Sequence, residues 1–264
     1  MLTFVTSALG LGIIAAMAEP APPVTARARA RAELSRDIKR LALRQLADEG
    51  AGALSLRAVA RELGMVSSAL YRYFASRDEL LTALIVDAYG DLAETISTAT
   101  AEVEPGRFRS RWGAACHALR GWARREPHRF ALIYGSAIPG YRAPADTIAP
   151  ATAVMTALAG IVDGAARAGA LADVDGEAVG GELAAQLDGV AHVLGEHSPA
   201  PVLATLAGAF GQLIGMVNLE LAGHFVGGFE PADALFDRTV RQMAAGLGLQ
   251  DLDEPGRAAP EPPA

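Results

Sequence analysis

The stretch that decides the fold runs from residue 54 to residue 81, LSLRAVARELGMVSSALYRYFASRDELL. Ser55 stands just before an apolar-periodic run and Gly64 closes it, so the pattern predicts a short helix, LRAVAREL, capped by Ser55. Ser67 is the expected cap of a second short helix, SALYRYF. Ser76 opens a third, with Glu79 three residues on, the reciprocal arrangement of a capping box. Leu80, Leu81, Leu84, Ile85 and Ala88 give this third helix one apolar face, and it is predicted to run to about Thr98. Ala60, Gly64 and Leu70 fall at intervals of four and six. A small residue lets two helices cross closely, a glycine permits the turn, and Val59, Leu63 and Leu70 lock the pair against a preceding helix. That is the pattern of a helix-turn-helix. So short a helix as SALYRYF is not stable alone in water, so its neighbours must hold it through Leu70 and Phe74.

Outward from this stretch the helical signal continues. Upstream, Leu34, Ile38, Leu41, Ala42 and Leu46 recur at three- and four-residue spacing and predict a helix from near Arg29 to Gly50. Downstream, helices are predicted over about 107–125, 127–135, 147–169, 176–195, 200–224 and 233–247. Pro105-Gly106, Pro139-Gly140, Ser198-Pro199 and Gly227-Gly228 fall in the gaps. Alternating runs of Val, Ile and Thr are almost absent, and alanine is abundant. The expected class is therefore all-α: a three-helix helix-turn-helix domain over 27–98, then a larger helical domain over 99–249. The Pro-rich residues 250–264 are expected to be disordered.

Residues 1–26 open with an apolar run and Ala16-Met17-Ala18, which resembles a signal peptidase site. No basic residue precedes it, and the run is short for a membrane span. Met17 offers an alternative start. The expectation is an upstream extension or a disordered lead rather than an export signal.

Charge is segregated. The whole chain carries a formal −7, yet residues 27–77 hold eleven basic side chains against five acidic ones. A compact basic block on an acidic chain suits a nucleic-acid contact surface. The single cysteine, Cys116, excludes an intrachain disulfide and fits a reducing compartment, the cytoplasm. It reads as a small buried hydrophobe. The five histidines show no HExxH or other metal-ligand spacing, and there is no Walker loop, dinucleotide fingerprint or G-x-S-x-G elbow. No enzyme activity, cofactor or metal is expected, nor a membrane partner.

With these residues in view, the stretch 54–81 closely resembles the DNA-binding domain of TetR-type transcriptional regulators. The marks are a basic first helix, the helix-turn-helix, an LY-x-[HY]-F segment met here by Leu70, Tyr71, Tyr73 and Phe74, and a basic residue, Arg77, opening a long helix. The resemblance implies a sequence-specific regulator, expected to be a ligand-responsive repressor acting as a homodimer on a palindromic double-stranded DNA operator. It assigns DNA contacts to Ser55, Arg57, Ser67, Ser68, Tyr71, Arg72, Tyr73 and Arg77. Arg57 would reach a base edge or phosphate, the serines base edges, and Tyr71, Arg72 and Tyr73 the backbone. Arg77 would clamp a phosphate at the start of its helix. The rival reading is a helical small-molecule-binding or interaction protein that keeps the motif without specific DNA binding.

The resemblance also implies that the second domain binds an effector and dimerises. Residues 210–225, FGQLIGMVNLELAGHF, resemble a C-terminal subfamily with a Trp-x-x-Leu-His-Gly signature before Leu-Glu-Leu. Gly215 and Leu219-Glu220-Leu221 fit it, whereas Phe210 and Ile214 replace the tryptophan and histidine. The helices at 176–195 and 200–224 are the candidates for a dimeric bundle; Gly208, Gly211 and Gly215 would permit close approach, within the chain or between chains. Trp112, Cys116, Trp122, Tyr134, Met155, His192 and Met216 are candidate pocket liners, with ordinary core as the alternative for each. The cluster Arg107, Arg109, Arg111, Arg120, Arg124, Arg125 and Arg129 is expected to be a solvated face.

Overall fold

A computed structural model of the chain describes residues 25–173 and 179–252. The expected lead at 1–24, the first residues of the helix expected from 176, and the tail at 253–264 lie outside the described residues. Ten α-helices and no strands occur among those described: α1 (Ala26–Glu49), α2 (Leu56–Glu62), α3 (Ser67–Leu70), α4 (Arg77–Ala101), α5 (Phe108–Arg125), α6 (Pro127–Tyr134), α7 (Ile148–Arg167), α8 (Gly181–Leu194), α9 (Ala200–Leu221) and α10 (Asp233–Gly246).

The chain divides into two compact units, one through Asp37 and one from Ile38 on. The described part of the first is Thr25 and the opening half of α1. Thr25 begins that helix by accepting the Ala28 amide on its hydroxyl at 3.2 Å, and Arg27, Arg29 and Arg31 on its opening turns are exposed.

In the second unit α4 serves two interiors. Ala88, Leu92 and Ile96 of α4 join the main core, with Trp112, Cys116 and Leu119 of α5 and Leu158 and Val162 of α7. Leu206 and Leu213 of α9 and Phe236 and Val240 of α10 complete it. The four-residue recurrence along α5 and α7 puts these side chains on one stripe each, which is why the helices layer against α4. Nearer its start, Leu80, Leu81 and Leu84 of α4 are buried apart from that core, as are Ile38, Leu41, Ala42 and Leu46 of α1, Val59 and Ala60 of α2, and Leu70 and Phe74. α4 is one uninterrupted helix through to Ala101, so the expected break near residue 98 is not where the interiors change.

Two expectations are corrected by ties far apart in sequence. Residues 250–252 are anchored rather than loose: the Gln250 amide donates to Ala170 O at 3.0 Å and the Leu252 amide to Gly106 O at 3.0 Å. Asp251 is buried and accepts the Arg109 amide at 2.8 Å and the Ser110 hydroxyl at 3.1 Å, so it caps α5 from the other end of the chain. The arginine cluster is a solvated face only in part: Arg109, Arg124 and Arg125 are exposed, and the others are engaged within the chain. Arg107 pairs with Asp251, Arg111 donates to Thr100 O, and Arg129 pairs with Asp91. Arg120 is nearly buried, with two hydrogen bonds of 2.7 Å to Glu220, one of 2.8 Å to Asp233, and its guanidinium 4.7 Å from the Phe236 ring centre. A buried guanidinium needs such partners to offset its lost hydration.

Candidate nucleic-acid interface

Local chemistry sets the helix-turn-helix. Ser55 caps α2, its hydroxyl accepting the Ala58 amide at 3.4 Å while its own amide donates to Gln45 Oε1 at 3.1 Å. α2 ends in a Schellman turn: the Met65 amide donates to Ala60 O at 2.9 Å and the Gly64 amide to Arg61 O at 3.1 Å. Gly64 has φ +67, a left-handed conformation that glycine adopts without cost to a Cβ. Val66 then occupies the cap of α3 and accepts the Ala69 amide on its carbonyl at 2.9 Å. Ser67 is thus the first helical residue and not the cap, because the turn that leaves Gly64 takes in Met65 and brings the extended backbone to Val66.

α3 is shorter than the sequence pattern suggests. It closes at Leu70, whose carbonyl accepts the amides of both Tyr73 and Phe74, at 2.8 and 3.2 Å. The tighter winding of 71–73 still carries Leu70 and Phe74 inward, at 0% and 6% exposure. Ser68, Tyr71 and Arg72 face solvent, Ser67 and Tyr73 are half-buried, and Arg57 is exposed on the first turn of α2. Val66 is 71% exposed beside them. With Tyr71 it offers apolar surface where a thymine methyl could pack. Sequence reading missed Val66 because a valine between a turn and a helix looks like core.

Arg77 is engaged within the chain. Its guanidinium donates to Ala51 O at 2.8 Å and pairs with Asp78 at 3.2 Å. It ties the start of α4 to the link between α1 and α2. The capping box forms with one variation: the Glu79 amide donates to Ser76 Oγ at 3.1 Å, and Glu79 Oε2 accepts from the Ala75 amide at 2.6 Å rather than from that of Ser76.

A second feature lies where α4, α6 and α7 meet the α6–α7 loop. A cavity of about 680 Å³ is walled by Ile85 and Tyr89 of α4, Ile133 of α6, Ile138 and Tyr141 of the loop, and Met155 of α7.

Known proteins bear on both features. Residues 38–84 match the model of bacterial regulatory proteins of the tetR family, and residues 112–243 match the tetracyclin repressor-like C-terminal domain. The chain belongs to the TetR family. HTH-type transcriptional regulators of Mycobacterium tuberculosis (Rv1816) and Mycobacterium bovis (Mb1846) are each 53% identical to it over 123 residues, 47% of this chain and 53% of theirs. The TetR-family chain thus spans about half the length of the curated relatives it matches. Among solved structures, SCO4313 is 36% identical, covering 84% of this chain and 100% of its own, at a TM-score of 0.68. A Rhodococcus sp. RHA1 protein of unknown function is 26% identical over 81% of this chain and 95% of its own, at 0.59.

Of the seven pocket candidates in this TetR-family chain, Met155 alone lines the cavity. Trp112, Cys116 and Trp122 are core residues at 0%, 0% and 2% exposure. Burial pushes the Cys116 thiol far above its ordinary range, so it stays protonated. The Trp122 indole donates to Asp91 at 3.0 Å. Tyr134 packs edge-on to Tyr89, with ring centres 5.8 Å apart, and Met216 lies beside Thr239. His192 is exposed on α8. Large residues at helical spacing filled the core, whereas the cavity takes its walls partly from the α6–α7 loop, which has no periodicity, and partly from α4, α6 and α7.

Proposed function

We propose that this protein is a sequence-specific DNA-binding transcriptional regulator of the cytoplasm, a repressor that acts as a homodimer on a palindromic operator and responds to a small-molecule effector. The observation that carries the reading is the outward set on α2 and α3. Arg57, Ser68, Tyr71 and Arg72 face solvent together, while Leu70 and Phe74 hold the short helix from within. A recognition helix presented this way can enter a major groove, with the serines at base edges and Arg72 and Tyr73 at phosphates. Arg77 then contributes by fixing α4 to the α1–α2 link, and its remaining N–H donors are available to a phosphate.

Support for a dimer comes from α9. A Cβ at Gly208, Gly211 or Gly215 would meet nothing within 4 Å, so these glycines serve no close packing inside the chain. Leu183, Val190 and Val193 of α8 and Leu219 of α9 are exposed as well. One short recognition helix reads few base pairs, and two-fold symmetry doubles the site.

Fluorescence anisotropy of the full chain on DNA from the region upstream of its gene tests the reading. The expected result is a specific complex that weakens steeply with salt, roughly as the number of phosphates neutralised. Arg72→Ala should weaken it on every sequence, and Ser68→Ala should alter sequence preference. No specific complex at any salt concentration would favour the rival, a helical binding protein without an operator.

A further inference from the structure

We infer that the cavity between α4, α6, α7 and the α6–α7 loop binds an uncharged, largely apolar molecule that carries a hydrogen-bond donor such as a hydroxyl. This inference rests on the reading of the chain as an effector-responsive regulator and names the effector's chemical class.

Size and polarity come first. About 680 Å³ lies within the range, roughly 300–1,000 Å³, of pockets that take drug-sized ligands. No charged side chain lines it; its walls are aliphatic residues, Met155, two tyrosines, two threonines and one serine. A carboxylate or ammonium group inside would lose hydration and gain no counter-charge.

The hydroxyls refine the class. Tyr89 donates to Ile133 O at 3.2 Å, Thr147 to Pro144 O at 2.7 Å, and Thr152 to Ile148 O at 2.8 Å. Tyr141 stands 2.9 Å from Thr82 Oγ1, which already donates to Asp78 O at 2.9 Å, so Tyr141 is the donor in that pair. Four wall hydroxyls thereby commit their protons to other oxygens, and each retains acceptor capacity alone. Burial also raises the Tyr89 pKa, which keeps that proton in place. Such a wall suits a donor and offers a carboxylate no side-chain proton from these four groups.

The same geometry links the cavity to the helix-turn-helix. Tyr141 bonds Thr82, Thr82 lies on the opening turns of α4, and Arg77 at the start of α4 bonds Ala51 O. A ligand that moves Tyr141 acts on a helix tied directly to the α1–α2 link.

The test uses the purified full chain and N-phenyl-1-naphthylamine, an uncharged apolar fluorophore bearing an N–H donor. Saturable fluorescence enhancement is expected, lost by about tenfold or more in affinity when Ala151→Phe fills the cavity. The ten-carbon series 1-decanol, methyl decanoate, decanoate and decylammonium then separates the classes by competition. Decanol should displace the probe best, the ester, which lacks a donor, less well, and both ions at least about tenfold more weakly. Decanoate or decylammonium competing as well as decanol would overturn the class, and unchanged probe affinity in Ala151→Phe would overturn the site. Met155→Trp provides a second filling variant, read against its circular dichroism and melting curve, should Ala151→Phe fail to fold. Thr82→Val removes the partner of Tyr141 from outside the cavity wall and should abolish ligand-dependent changes in hydrogen exchange over residues 77–85; changes that persist would remove the Tyr141 link. Probe binding needs no DNA, so a chain that binds the probe but no operator leaves the site standing without the regulator. A chain that binds operator but shows no saturable probe site leaves the regulator standing without this cavity.

Discussion

α4 and α5 follow one another in the chain, yet their first turns are closed in opposite ways. Ser76, directly before α4, accepts the Glu79 amide, and Glu79 reaches back to Ala75. α5 has no side-chain cap from its own neighbourhood; Asp251, more than a hundred residues away, accepts the Arg109 amide. The contrast extends to the regions around them. The helix-turn-helix is fastened by residues a few positions apart: Ser55 to Ala58, Gly64 to Arg61, Leu70 to Phe74. The C-terminal helices are fastened by Arg120 to Glu220 and Asp233, and by residues 250–252 to Gly106 and Ala170. Short-range ties form as the segment winds, whereas long-range ties require the loop between them to close first.

Substitutions can break this contrast or sharpen it. The largest effect is expected from Phe74→Ala, at about 3–5 kcal/mol from a nearly buried aromatic side chain. Hydrogen exchange should show the loss over residues 38–84, and DNA binding should disappear while α5 and α7 stay protected. Loss of protection across the whole chain would mean that the two interiors on α4 unfold as one. Arg120→Ala should cost about 3 kcal/mol by leaving Glu220 facing a buried gap, and the loss should appear in α5, α9 and α10 by the same measurement. Asp251→Ala removes the distant cap and should lower stability by about 1–2 kcal/mol, with faster exchange at the Arg109 amide. Ser76→Ala should cost about 1 kcal/mol or less and leave α5 untouched. An Asp251→Ala effect no larger than that of Ser76→Ala, and equally local, would dissolve the distinction.

The smallest effect is in acid. Burial alone would raise the Asp91 carboxyl, but hydrogen bonds from Trp122 and Arg129 outweigh it and hold the group below its ordinary value of 3.8. The Arg120 hydrogen bond lowers Asp233 in the same direction. A carboxyl with a depressed folded pKa contributes stability above its unfolded value and loses it as pH falls through the folded one. Melting temperatures should therefore carry these contributions unchanged from pH 7 to near pH 4 and lose them below. Asp91→Asn should flatten part of that acid limb.

The legibility of the sequence follows the same division. Ser55 and the Ser76–Glu79 pair were readable because a cap and its partner sit within one turn. Of the buried stripe of α5, Trp112, Cys116 and Leu119, Cys116 was readable as a small buried hydrophobe, but spacing did not exclude Trp112 and Cys116 from a pocket. A large apolar residue lines a cavity or fills a core according to what faces it, and spacing along one helix carries no record of that. The bond from Arg77 to the Ala51 carbonyl was not legible, because it crosses a turn whose path the sequence left open.

By itself, then, the sequence determined the helices, their order, the helix-turn-helix and the family, since each rests on period, caps and turn residues a few positions apart. The tertiary structure decided that Asp251 caps α5, that Arg120 is buried, that α9 leaves its glycines uncovered within the chain, and that the cavity lies beside α4 with four wall hydroxyl protons committed. Those outcomes depend on which groups meet across tens of residues, and for Asp251 and α5 across more than a hundred. The free energy of such meetings belongs to the packed chain as a whole, so no short window of sequence contains it.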